Sequence, residues 1–103
     1  MVQDTADTGP RFTVKQGQYL AYINAYTLIN SCPPAESDMQ RFFRVTGPAV
    51  HGMMVTLERN GLITRQPRVA RSILLAIDPS VLPMLERAHD GPIYIGAAYH
   101  WSR

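Results

Sequence analysis

The chain has 103 residues, 46% of them apolar and 17% charged, which fits one soluble globular domain with a single modest core. No apolar run reaches the ~18–20 residues of a membrane span. The opening segment carries Asp4 and Asp7 but no basic or apolar block of a secretory signal, and the single cysteine, Cys32, excludes an internal disulfide and a cysteine-rich zinc site. A reducing, cytoplasmic setting is expected.

The net charge is only +2, but it is unevenly distributed. Arg11 and Lys15 against Asp4, Asp7, Glu36 and Asp38 leave residues 1–38 at −2. Arg41, Arg44, Arg59, Arg65, Arg68 and Arg71 against Glu58 put residues 39–77 at +5. Arg87 and Arg103 against Asp78, Glu86 and Asp90 leave residues 78–103 at −1. Nearly all the cations are arginines, whose planar fork suits phosphate and guanine. A basic face that is merely solvated is the plain alternative.

In chain order, residues 1–11 read as a disordered leader closed by Gly9-Pro10. Thr13 and Gln16 form a capping-box pair, with Phe12 placed to staple onto the helix that follows. The spacing of Tyr19, Leu20, Ile23, Tyr26 and Thr27 predicts a helix over residues 14–30, ended before Pro33-Pro34. A short helix over 36–43 has Met39, Phe42 and Phe43 as its apolar side, and residues 44–47 read as a turn. Thr46 or Gly47 caps a third helix over about 48–60, with Pro48 in its first turn, Val50, Met54 and Leu57 facing the core, and Gly61 as its stop.

After Gly61 the period changes. Residues 62–66 and 71–77 read as the strands of a hairpin, with 67–70 as its connection. Residues 80–88 are compatible with a fourth helix, with Val81, Met84, Leu85 and Ala88 on one side. Asp90-Gly91-Pro92 signals a turn, and residues 93–101 are apolar and aromatic without a clear period. The expected fold is mainly α with a small β hairpin (α+β), a winged helix-turn-helix. It comprises a leader (1–11), a three-helix core with its wing (12–77) and a C-terminal extension (78–103) that either packs back or serves as a dimer contact.

This order places the third helix to enter a major groove, its N-terminus favouring phosphate, with a basic hairpin beside it. Candidate nucleic-acid contacts are Arg44, Thr46 and Pro48 at the turn and helix start, Ala49, His51, Gly52 and Met53 on the helix, and Arg65, Arg68 and Arg71 in the hairpin. The small residues permit close approach, and Met53 is placed either against a thymine methyl or simply against a neighbour. His51, His89 and His100 lack metal-ligand spacing. Cys32 has no local base, and Ser72 and Ser80 lack nucleophile-elbow glycines, so no metal, cofactor or catalysis is expected.

Several motifs point to a family. Phe12-Thr13 with Gln16, Pro33-Pro34, Val50-His51-Gly52, Leu57-Glu58, Gly61-Leu62-Ile63, Arg65-Gln66-Pro67 and Arg71-Ser72-Ile73 together resemble the N-terminal DNA-binding domain of the LexA repressor over residues 12–77. The resemblance implies sequence-specific binding of double-stranded DNA by a transcription regulator, reading a palindrome as a homodimer. The chain departs from the family in three ways. The helix-turn-helix turn is one residue shorter and lacks its glycine between Phe43 and Thr46, with Gly47-Pro48 where small hydroxyl residues are usual. Met53 and Thr56 occupy positions where polar or basic residues are common, so the operator does not transfer. The self-cleaving peptidase domain, with its Ser/Lys dyad, has no counterpart in these residues, so autoproteolysis is not expected. The second reading is a winged helix that docks a protein rather than DNA.

Overall fold

The first helix is fixed by its own opening residues. Thr13 is extended, its Oγ1 accepts the Gln16 N–H at 3.1 Å, and Gln16 Oε1 accepts the Thr13 N–H at 3.0 Å. This is the reciprocal cap expected from the sequence. Helix α1 (Val14–Asn30) follows. The Phe12 ring staples onto it at Gly17, where an added Cβ would meet Phe12 Cε1 at 3.0 Å. Helix α2 (Glu36–Phe43) carries Glu36 and Asp38 in its first turn, where carboxylates complement the helix dipole. Helix α3 (Gly47–Arg59) is capped by Thr46, whose Oγ1 accepts the Ala49 N–H at 3.2 Å. Gly61 at φ +76° ends it, a conformation that glycine adopts without penalty.

The computed structural model describes residues 11–86 in full, together with the backbone of residues 92–95 and 98–101. The leader expected over 1–11 lies outside the described residues except for Arg11.

Tyr19, Leu20, Ile23 and Tyr26 of α1 are buried as their spacing predicts, and Tyr22 joins them. Met39 and Phe42 of α2 and Val50, Met54 and Leu57 of α3 close the core from the other side, with Leu62, Ile63 and Ile73 beneath. Aromatic rings knit α1 to α2: Tyr19 stacks on Phe43 at 4.1 Å, and Tyr22 meets Phe42 at 4.7 Å.

The wing is a two-stranded antiparallel ribbon, β1 (Ile63–Thr64) with β2 (Leu74–Leu75), in the register Ile63 to Leu75 and Thr64 to Leu74. These strands are shorter than the expected 62–66 and 71–77. Pro67 offers no N–H for a ladder, and Arg68 and Arg71 adopt positive φ, 63° and 55°, which breaks the extended path. The tip is held together by Ser72, whose Oγ accepts the Gln66 N–H at 2.9 Å and lies 2.9 Å from the Val69 carbonyl.

The fourth helix expected over 80–88 is not present in the described part of that segment. A single 3-10 turn, Pro79–Val81, is capped by Asp78, and Leu82 is then extended at ψ 147°. Pro83 explains this, because the residue before a proline is pushed out of the helical region. The segment is tied instead to α1. Gln18 Nε2 donates to the Met84 carbonyl at 2.9 Å, and Gln18 Oε1 accepts the Glu86 N–H at 2.8 Å. Residues 93–101, without a clear period in the sequence, contribute to a second antiparallel pair, β3 (Pro92–Ile95) with β4 (Ala98–Trp101).

Candidate nucleic-acid interface

The element order helix, helix, tight turn, helix, hairpin leaves one face of α3 outward. Val50, Met54 and Leu57 anchor the helix in the core, which leaves Pro48, Ala49, His51, Gly52 and Arg59 exposed and Val55 and Thr56 half-exposed. Nothing lies within 4 Å of the position a Gly52 Cβ would take. Met53 is half-buried and packs against the core, a neighbour contact rather than a free outward side chain.

The turn before α3 has a feature the sequence disguises. Arg44 takes the left-handed conformation, φ 57° and ψ 50°, at the end of α2. It fills the role of the glycine missing from this turn, at a cost of about 1 kcal/mol for a residue with a side chain. Arg44 is exposed, as is Thr46 beside it. Thr46 Oγ1 is already occupied by its capping bond.

The three wing arginines differ. Arg65 is four-fifths buried between two carboxylates, with Nε 3.0 Å from Glu58 Oε1 and Nη1 3.3 Å from Glu36 Oε2. Glu36 also lies 3.3 Å from His51 Nδ1, so the start of α2, the exposed flank of α3 and the base of the wing share one polar network centred on the Glu36 carboxylate. Arg71 reaches under the wing. Its Nη1 donates to the Tyr26 hydroxyl at 2.7 Å and the Asp38 carboxylate at 3.0 Å, and lies 3.3 Å from the Pro33 carbonyl. The guanidinium also sits 5.8 Å over the Tyr26 ring. The Tyr26 hydrogen bond, reinforced by the nearby Asp38 charge, raises the Arg71 pKa above its ordinary value. Burial raises that of Tyr26 despite the guanidinium's opposing pull.

Arg68 stands at the wing tip, exposed, and pairs with no acidic group among the described residues; the same holds for Arg44 and Arg59. Between wing and α3 lies an open hollow of about 520 Å³, bordered by Glu36, His51, Glu58, Arg65, Arg68 and Ser72. The structure therefore brings His51 and Arg65 together through Glu36, leaves Arg44 and Arg68 outward, and turns one nitrogen of Arg71 inward. Glu36, Asp38 and Tyr26 were not among the sequence-derived contacts. Their partners are 29, 33 and 45 residues away, beyond any local pattern. Among the described residues no three His, Cys, Asp or Glu side chains group to hold a metal ion, and no helix is long and apolar enough to cross a membrane.

Three helices, a tight turn and a hairpin beside an outward third helix define a winged helix-turn-helix domain. No family model matches the chain. Over 65 residues, 63% of its length, it is 35% identical to the LexA repressor of Thermosipho melanesiensis, covering 33% of that protein. Over 70 residues, 68% of its length, it is 33% identical to the LexA repressor of Thermosipho africanus, covering 35% of it. These similarities bear out the resemblance read from the sequence. The chain spans about a third of the length of the curated relatives it matches.

Proposed function

We propose that this chain binds double-stranded DNA with sequence preference, as the DNA-reading part of a cytoplasmic transcription regulator. In this reading α3 lies in the major groove. Arg68 at the wing tip and Arg44 at the turn hold phosphates on either side, and Thr46 and Pro48 bring the helix start against the backbone. Arg65 and Arg71 act chiefly by shaping the wing.

The observation that carries the proposal is the outward face of α3 between cations with no acidic partner among the described residues, on a winged helix. Phosphate neutralisation by such cations releases counterions and makes binding steeply salt-dependent. The two relatives are both called repressors, which supports the regulatory reading. One winged helix covers only a short stretch of groove, so two copies on a palindrome are part of the proposal.

The test is binding of the whole chain to random duplex DNA across a salt series, followed by selection of bound sequences. A steep salt slope with an enriched palindrome supports a dimeric reader. Salt-sensitive binding without enrichment removes the sequence preference. Absence of binding at low salt overturns the proposal in favour of a protein partner, the reading that the weakly polar face of α3 would then support.

A further inference from the structure

We propose that α3 distinguishes DNA sequences by touching thymine 5-methyl groups rather than by hydrogen-bonding base edges. Ala49, Val55 and Thr56 supply the contacts, and Gly52 lets the helix backbone approach the bases. The inference rests on the duplex-DNA reading above and names what the helix reads there.

Its basis is chemical. Residues 47–57 contain no Asn, Gln, Arg or Lys, the side chains that make bidentate contacts with adenine and guanine edges. The two polar side chains of this stretch, His51 and Thr56, each have a partner within the protein, and His51 stays exposed on the shoulder opposite Ala49 and Thr56. His51 Nδ1 lies 3.3 Å from Glu36, and Thr56 Oγ1 donates to the Gly52 carbonyl at 3.0 Å. At about 100° per residue, Pro48, Gly52, Val55 and Arg59 fall opposite the buried Val50, Met54 and Leu57, with Ala49 and Thr56 on one shoulder. Arg59 is the first cation on this side, roughly 10 Å along the axis from Gly52.

The presented surface is thus a narrow ridge of methyl groups with a gap at Gly52. In the major groove thymine offers a methyl group that cytosine and the purines lack. Charge decides between DNA and protein as occupant. Arg44 precedes the ridge, Arg59 follows it and Arg68 flanks it, none of them paired with an acid among the described residues. The ridge also lacks the large aromatic anchors on which protein partners concentrate binding energy.

The test takes the duplex selected by the whole chain and replaces its thymines one at a time with deoxyuridine. This removes one methyl and leaves every hydrogen-bonding group in place. At each contacted thymine the expected loss is about four-fold in affinity, the equivalent of one buried methyl group. Thymines outside the half-sites show none. Val55→Ala, checked for folding by circular dichroism, abolishes the difference at one position, whereas Arg68→Ala weakens thymine and deoxyuridine duplexes by the same factor. Sequence-selective binding that is indifferent to deoxyuridine at every position overturns methyl reading and leaves the DNA function standing. Failure to bind any duplex at low salt overturns both.

Discussion

Replacing Arg71 with alanine tests whether that arginine is primarily a tether or a DNA contact. The side chain joins the base of the wing to Tyr26 on α1 and Asp38 on α2, both nearly inaccessible to water. Removing it leaves a buried carboxylate with the Ala35 N–H at 2.8 Å but without its guanidinium. A hydrogen bond to a charged group contributes about 1.5–3 kcal/mol, and since the guanidinium is itself partly solvated, a loss of about 2 kcal/mol is expected. For a domain of this size that lowers the melting temperature by roughly 8–16 °C. Alanine inherits the same positive φ, so backbone strain does not enter the difference. Arg68→Ala is the control: an exposed residue whose loss leaves stability within about 0.5 kcal/mol but flattens the log–log salt dependence of DNA binding by roughly 0.9. Calorimetric melting and a salt titration on both variants separate the roles. An Arg71→Ala protein that melts with the wild type while losing salt dependence would refute the tether.

Three further predictions follow from single positions. Gly52→Ala adds a methyl group into open space within α3, so thermal stability should rise by about 0.5–1 kcal/mol while DNA affinity falls; a variant that is more stable and binds equally well would dismiss close backbone approach at this site. Arg44→Gly relieves the left-handed strain between α2 and α3 and should raise the urea midpoint by an amount equivalent to up to about 1 kcal/mol, while Arg44→Ala should not; equal midpoints would argue that the conformation costs nothing. Tyr19 and Tyr26 have pKa values raised above 10.0, mainly by burial, so the folded chain holds those protons longer than the unfolded one. The associated stability is complete below pH 10 and is lost as pH rises through the folded values, so ultraviolet titration should show these two tyrosines ionising late, with alkaline unfolding.

What was legible in the sequence was what local chemistry decides. The capping box at Thr13 and Gln16, the periodic apolar residues of α1 and α3, the cap at Thr46 and the glycine stop at Gly61 each act within one or two turns. They put the three helices at the expected positions and with them the outward face of α3. The spacing of Val81, Met84 and Leu85 suits a fourth helix, but Pro83 holds Leu82 extended and overrides that spacing. The hairpin strands read too long because alternation says nothing about the left-handed conformations at Arg68 and Arg71. The division of labour among the wing arginines was out of reach, because it depends on Glu36, Asp38 and Tyr26 arriving from distant parts of the chain.

The side-chain amide of Gln18 offers both a donor and an acceptor to residues 84 and 86, the pattern an adjacent strand would present. One side chain therefore stands in for a missing ladder and moors the polypeptide after the wing to α1 rather than to α3. A pull on residues 84–86 would pass into α1, the central helix of the core, before it reached α3.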